Sequence, residues 1–134
     1  MRAATAMLAN AAEVREGLLY VLGGGIDELW VGELPAEVAP TVVLSVELDP
    51  GDLGRPFTPH LEVRADAGDV LVDVDMPPAL PEPQVPGSMS LRFPMVFTVG
   101  MRVVSEGGHR LTVSVDGAEL ARADFAVRLR GQPG

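Results

Sequence analysis

Apolar and polar residues alternate with a period of two along much of the chain. The clearest run sets His109, Leu111, Val113 and Val115 against Arg110, Thr112, Ser114 and Asp116. Successive side chains of an extended strand point to opposite faces, so this run predicts a strand with one buried face. Asp116-Gly117 follows at once, a dipeptide that supplies the positive φ angles of a two-residue hairpin turn. On the return, Phe125, Val127 and Leu129 alternate with Asp124, Ala126 and Arg128. The two runs predict a C-terminal hairpin.

From Met89 to Val99 every odd position is apolar: Met89, Leu91, Phe93, Met95, Phe97 and Val99. This pattern predicts the main core strand. Pro94 cannot donate a ladder hydrogen bond, so the strand is expected at a sheet edge or a bulge. Val42, Leu44, Val46 and Leu48 alternate with Thr41, Val43, Ser45 and Glu47, giving a strand between Pro40 and the turn Asp49-Pro50-Gly51-Asp52. Leu61, Val63 and Ala65, then Val70, Val72 and Val74, predict a further hairpin around Ala67-Gly68.

Leu18-Leu19-Tyr20-Val21-Leu22 is apolar without alternation and reads as a strand buried on both faces, closed by Gly23-Gly24-Gly25. Ile26, Glu28 and Trp30 then alternate with Asp27, Leu29 and Val31. The Ala-rich stretch before it, residues 9–16, has helix propensity enough for two turns, and its pattern alone leaves helix and strand open. Each run is short and bounded by turn residues. The expectation is therefore one all-β domain over residues 1–134, a two-sheet antiparallel sandwich of about eight or nine strands with an immunoglobulin-like or related topology. Residues 131–134 read as a flexible tail.

Two segments carry a resemblance. The opening Leu8-Ala9-Asn10-Ala11-Ala12-Glu13-Val14-Arg15-Glu16-Gly17-Leu18-Leu19-Tyr20-Val21-Leu22-Gly23-Gly24-Gly25 and the closing Gly107-Gly108-His109-Arg110-Leu111-Thr112-Val113-Ser114-Val115-Asp116-Gly117 resemble an uncharacterised bacterial family of small β-sandwich proteins. Its members open on Leu-Ala-Asp-x-Ala-x-Val-x-x-Gly-Lys-Leu-x-x-x-Gly-Gly-Gly and close on Gly-x-Tyr followed by alternating apolar residues and Asp-Gly. This chain departs from that pattern at Asn10 for Asp, Leu18 for Lys and His109 for Tyr. The resemblance implies that residues 4–10 open a strand that turns near Arg15 to Gly17. It implies no activity.

Composition narrows the function classes. The net charge of −9 repels phosphate backbones and anionic lipid surfaces on average, which argues against nucleic acid and membranes as partners. The absence of cysteine removes disulfide and thiolate chemistry and fits a cytoplasmic setting. No window approaches the roughly 18 apolar residues of a membrane span. The first residues imitate a secretory signal, but Asn10 interrupts a short apolar stretch, so none is expected. With one Trp, Trp30, and one Tyr, Tyr20, the chain offers no stacking platform for sugars or bases. Trp30 is expected to cover one end of the core.

Candidate chemistry is sparse. The triple glycine is followed by an acidic stretch without Lys, so it reads as a turn or bulge rather than a phosphate cradle. His60 and His109 fall on different predicted strands, His109 in a core-facing phase and His60 at a strand start, exposed. No nucleophile elbow is present. The expectation is no catalytic residue, no cofactor and no enzymatic activity. Asp49, Asp52, Asp66 and Asp69 are the candidates for loop-borne Ca²⁺, whereas Asp73 and Asp75 read as the solvated side of a strand. The stretch from Met76 to Gly87 holds five prolines and reads as an extended connection between sheets or as a docking arm. Pro78, Pro81, Pro83 and Pro86 are the residues such an arm would present. The leading expectation is a non-enzymatic interaction or assembly module that binds a protein partner or itself. A small-ligand or Ca²⁺-binding domain comes second and a hydrolase of unknown type third.

Overall fold

Glu16-Gly17 and Asp116-Gly117 hold both of their residues at positive φ, 53° and 75° in the first pair and 51° and 80° in the second. That geometry matches the right-handed twist of two flanking strands and makes the tightest hairpin connection. In the computed structural model, which describes residues 1, 3–82, 87 and 89–130, these turns close the two longest hairpins. The first joins β1 (Ala3–Arg15) to β2 (Leu18–Ile26) and the second joins β10 (Gly107–Val115) to β11 (Ala118–Leu129). The remaining strands are β3 (Glu28–Val31), β4 (Ala36–Val38), β5 (Thr41–Glu47), β6 (His60–Ala65), β7 (Val70–Asp75), β8 (Arg92–Thr98) and β9 (Met101–Val103), with one 3-10 turn at Pro50–Asp52.

A four-stranded sheet has the order β2-β1-β5-β8 and a five-stranded sheet the order β3-β11-β10-β6-β7; β4 and β9 form a separate ribbon. One core lies between the two larger sheets. Leu8, Val42, Leu44, Val46 and Met95 enter it from the first, and Leu61, Val63, Leu111, Val113, Phe125 and Val127 from the second. These positions follow the period of two within each strand, which is why the alternating runs of the sequence located them. Burying one such side chain contributes about 1.5–3 kcal/mol, so the shared core is the main source of stability in a chain without disulfides.

The all-β expectation holds among the described residues, and the finer expectations need five corrections. Among the described residues there are eleven strands rather than eight or nine. The two that the patterns miss, β4 and β9, are three residues each, too short for alternation to register. The sheets are not purely antiparallel, because β3 lies parallel to β11 with Val127 beside Leu29. Asp27 alone separates β2 from β3, so the chain passes directly from one sheet to the other, and the Asp27 carbonyl accepts from the Ala126 amide at 2.8 Å.

Third, Leu18 to Leu22 is not buried on both faces. Strand β2 is a sheet edge, with Leu18 60%, Tyr20 50% and Leu22 73% exposed. Fourth, the three glycines do not close it. They stay in the strand as a bulge, Leu8 pairing with Ile26 and Ala9 with Gly24, so that Gly25 is the extra residue. Fifth, Trp30 is half exposed and donates to Glu28 at 3.2 Å instead of capping the core, and Met89 is 92% exposed, outside β8. Pro94 sits on β8, the other edge of the four-stranded sheet, where its missing amide costs no ladder bond.

Candidate interaction site

Strand β1 serves two neighbours in succession. Its first half, Ala3 to Ala9, pairs with β5, whereas Asn10 to Arg15 runs on past the end of β5 and meets only β2 across the sheet. The hairpin beyond Ala9 is therefore a two-stranded arm extending from the four-stranded sheet. The bulge falls at the root of this arm, between Leu8 and Ala9.

The β2 side of the arm is apolar on both faces, and the charged side chains of β1 on it, Glu13 and Arg15, share one face and pair with each other at 3.4 Å. On one, Leu18, Tyr20 and Leu22 stand across from Arg15, Glu13 and Ala11; on the other, Leu19 and Val21 stand across from Val14 and Ala12. Val14 is 37% exposed. Ala11, Ala12, Glu13, Tyr20, Val21 and Leu22 line an open, largely apolar depression of about 340 Å³. Two-stranded ribbons have little stability in water on their own, and isolated exposed leucines are ordinary. A contiguous apolar strip on a sheet edge is different, since it presents both uncovered side chains and unpaired backbone groups. Sequence reading missed this site because it took an uninterrupted apolar run as interior. The signal was the Glu16-Gly17 turn, which returns β2 along β1 at the outside of the sheet.

The acidic candidates do not converge. Asp49 and Asp52 lie beside the 3-10 turn, where the Met1 ammonium reaches Asp52 at 2.5 Å and Asp49 at 3.3 Å. That hydrogen bond to Asp52 raises the pKa of the ammonium and lowers that of the Asp52 carboxyl. Asp66 and Asp69 belong to the β6–β7 turn, the Asp69 carbonyl accepting from the Ala65 amide at 2.8 Å. Among the described residues no three His, Asp or Glu side chains are arranged to hold a metal ion.

Asp73 and Asp75 do more than solvate a strand. Asp75 is the register partner of His60 and meets its Nδ1 at 2.8 Å, while Asp73, on the diagonal, meets Nε2 at 2.5 Å. Both ring nitrogens face carboxylates, an arrangement that only the doubly protonated imidazolium satisfies, and the hydrogen bonds to Asp75 and then Asp73 raise the His60 pKa. His109, by contrast, is buried beside Phe125, with ring centroids 5.2 Å apart; its Nδ1 contacts the Gly107 carbonyl at 2.9 Å and its Nε2 has no partner among the described residues. The two histidines thus stand on opposite faces of adjacent strands and share no site.

The proline-rich connection is strapped down in its described part. Phe57 and Ala79 exchange backbone hydrogen bonds at 2.7 and 2.9 Å, and the Pro81 carbonyl accepts from the Gly54 amide at 2.9 Å. Pro78 is exposed and Pro81 buried; Pro83 and Pro86 lie outside the described residues. The segment carries the chain from β7 in one sheet to β8 in the other.

Two facing sheets, no metal-holding group of side chains among the described residues and an uncovered apolar hairpin define an all-β domain whose distinctive surface is a strand edge. The chain belongs to a family of unknown function, DUF6941, which matches residues 4–128. A search of curated proteins returned no match. Among solved structures, the chain is similar to the superoxide reductase (neelaredoxin) from Ignicoccus hospitalis, at 13% identity and a TM-score of 0.36, over 93% of this chain and 83% of that one. At that score the likeness carries neither fold nor function to this chain. Among the described residues no helix is long and apolar enough to cross a membrane.

Proposed function

We propose that this domain is a non-enzymatic protein-interaction module that assembles through the β1–β2 hairpin. The observation that carries this reading is the placement of Leu18, Tyr20 and Leu22, the core-like run of the sequence, on an uncovered sheet edge. Burial of those side chains and completion of the backbone ladder both require a second polypeptide, the mode of recognition known as strand addition. The charge of −9 favours a protein partner over nucleic acid, and the cysteine-free composition suits a cytoplasmic setting. We read the sandwich as immunoglobulin-like or related in topology, which bears on fold and not on function.

The test compares the native chain with the Leu18→Lys/Leu22→Lys variant in light scattering and in affinity capture from the source cell. The reading expects association of the native chain, with itself or with another protein, that the lysine pair abolishes while the thermal midpoint is preserved. A native chain that stays monomeric and retains nothing overturns it.

A further inference from the structure

We infer that the polypeptide completing this edge is a second copy of the same chain, its β2 lying antiparallel to the first with the two-fold axis at Tyr20. The inference rests on the reading of the hairpin as an interaction site and names its occupant.

Backbone geometry sets the permitted registers. In a two-residue hairpin the pair flanking the turn, here Arg15 and Leu18, exchanges both hydrogen bonds, and such pairs recur at every second position. Leu18, Tyr20 and Leu22 therefore direct their amides and carbonyls to β1. Those of Leu19 and Val21 point to the open edge. An antiparallel copy must match outward-pointing residues with one another. Centring the axis on Tyr20 does so, with Leu19 facing the second copy's Val21 and the reverse, a set of four backbone hydrogen bonds about the axis.

The same register suits the side chains. Leu18-Leu19-Tyr20-Val21-Leu22 is an apolar palindrome in character. About Tyr20, Leu18 stands opposite Leu22, Leu19 opposite Val21, and Tyr20 opposite itself in a non-hydrogen-bonded pair, where side chains approach most closely. Shifting the axis to Leu19 or Val21 places a glycine opposite one of these large residues. Because each copy brings its own β1, the other face becomes the rows Val14, Leu19, Val21, Ala12 and their symmetry mates, wholly apolar across four strands.

Charge selects the occupant. Two chains of −9 repel, so a self-contact belongs where charge is least. Strand β2 has no ionisable acid or base from Leu18 through Ile26 other than the Tyr20 phenol. The other edges of the two larger sheets are guarded: β8 carries Arg92 and Pro94, β7 carries Asp73 and Asp75, and the four-residue β3 carries Glu28. Such charges, prolines and short lengths are the usual protections of an edge against pairing. Strand β2 lacks them. Pairing would join the two four-stranded sheets into one of eight. The contact is one strand pair with its flanking hairpins, in the class below about 1,200 Å², so the dimer is a reversible, concentration-dependent one.

Because the native chain has no cysteine, a single substitution reports the register. In an oxidised solution of Tyr20→Cys, the two thiols face one another across the axis at a Cα separation of about 4.5 Å, within disulfide reach. In Leu18→Cys, the like positions are four residues apart along the pair, about 13 Å, and cannot bridge. The inference expects rapid covalent dimer from Tyr20→Cys and none from Leu18→Cys. It also expects a native dimer that strengthens with added salt as repulsion is screened. Val21→Pro, which removes an outward amide and leaves the β1 ladder intact, should yield a folded monomer. A native chain that is monomeric at every concentration, or Leu18→Cys cross-linking as fast as Tyr20→Cys, overturns the inference. If that monomer still captures a different protein in a Leu18- and Leu22-dependent way, the interaction reading survives and only the second copy is lost. If it captures nothing, both fail.

Discussion

The side-chain amide of Asn10 occupies the space above Gly23 that a Cβ at that position would fill. Asn10 is the first residue of β1 beyond its pairing with β5, and Gly23, with φ at 62°, lies just before the bulge on the strand beside it. The contact thus sits where the hairpin leaves the sheet, and the arm's direction depends on a glycine there.

Replacing Gly23 with alanine imposes both a left-handed backbone on an L side chain and a collision with Asn10. The expected cost is about 1–3 kcal/mol in a urea melt. Adding Asn10→Gly to that variant should recover part of the loss, since it relieves the contact but not the φ. An unchanged urea midpoint for Gly23→Ala would show that the bulge reshapes freely.

The His60 cluster makes stability depend on pH in a defined direction. Its folded-state pKa is raised by Asp75 and Asp73, so the imidazolium contributes in full below the unfolded value of about 6.5 and the contribution fades as pH climbs through the folded value. An NMR titration should place the His60 midpoint above that of an unstructured peptide, and Asp73→Asn/Asp75→Asn should bring it back. The native chain should also lose more stability between pH 6 and pH 9 than His60→Gln does. Equal losses would show that the pair of carboxylates has no hold on the ring.

Buried His109 is a packing residue with one polar atom left over. His109→Phe keeps a ring against Phe125 and removes the unpartnered Nε2 while giving up the contact to the Gly107 carbonyl, so its stability should fall within about 1 kcal/mol of native. His109→Ala opens a cavity and should cost about 3 kcal/mol. A phenylalanine variant as unstable as the alanine one would mean that the Nδ1 contact, not the ring, holds this part of the sheet.

Calcium offers a quick check on the acidic loops. With Asp49 and Asp52 around the Met1 ammonium and Asp66 and Asp69 in a separate turn, a melt in Ca²⁺ should match one in chelator. A raised midpoint with Ca²⁺ would revive the acidic loops as a ligand site.

Period-two runs located most of the sandwich, because a strand with one buried face writes that face into every second residue. Leu111 and Val113 were legible for this reason, as was the Asp116-Gly117 turn. What alternation does not encode is which strand lies at an edge. Leu18 to Leu22 has the composition of an interior strand, and only its position after Glu16-Gly17, outside β1, leaves it uncovered. The His60 pair was illegible for a related reason: Asp75 is fifteen residues away and meets the ring through strand register, which local pattern does not specify. The ribbon of Ala36–Val38 with Met101–Val103 combines both difficulties, being short and joined across about half of the chain.

The parallel seam between Glu28–Val31 and Ala126–Leu129 ties the first quarter of the chain to its last residues of strand. On the ribosome, strands β1, β2, β5 and β8 are all made by Thr98, but β3 cannot be seated until β11 has emerged. Long-range pairing of this kind slows folding, because loop closure precedes any reward from contacts. The nascent chain therefore carries both strands of the apolar hairpin through its synthesis while the second sheet is unfinished. Premature pairing of two such hairpins is the misassembly to which this topology is most open.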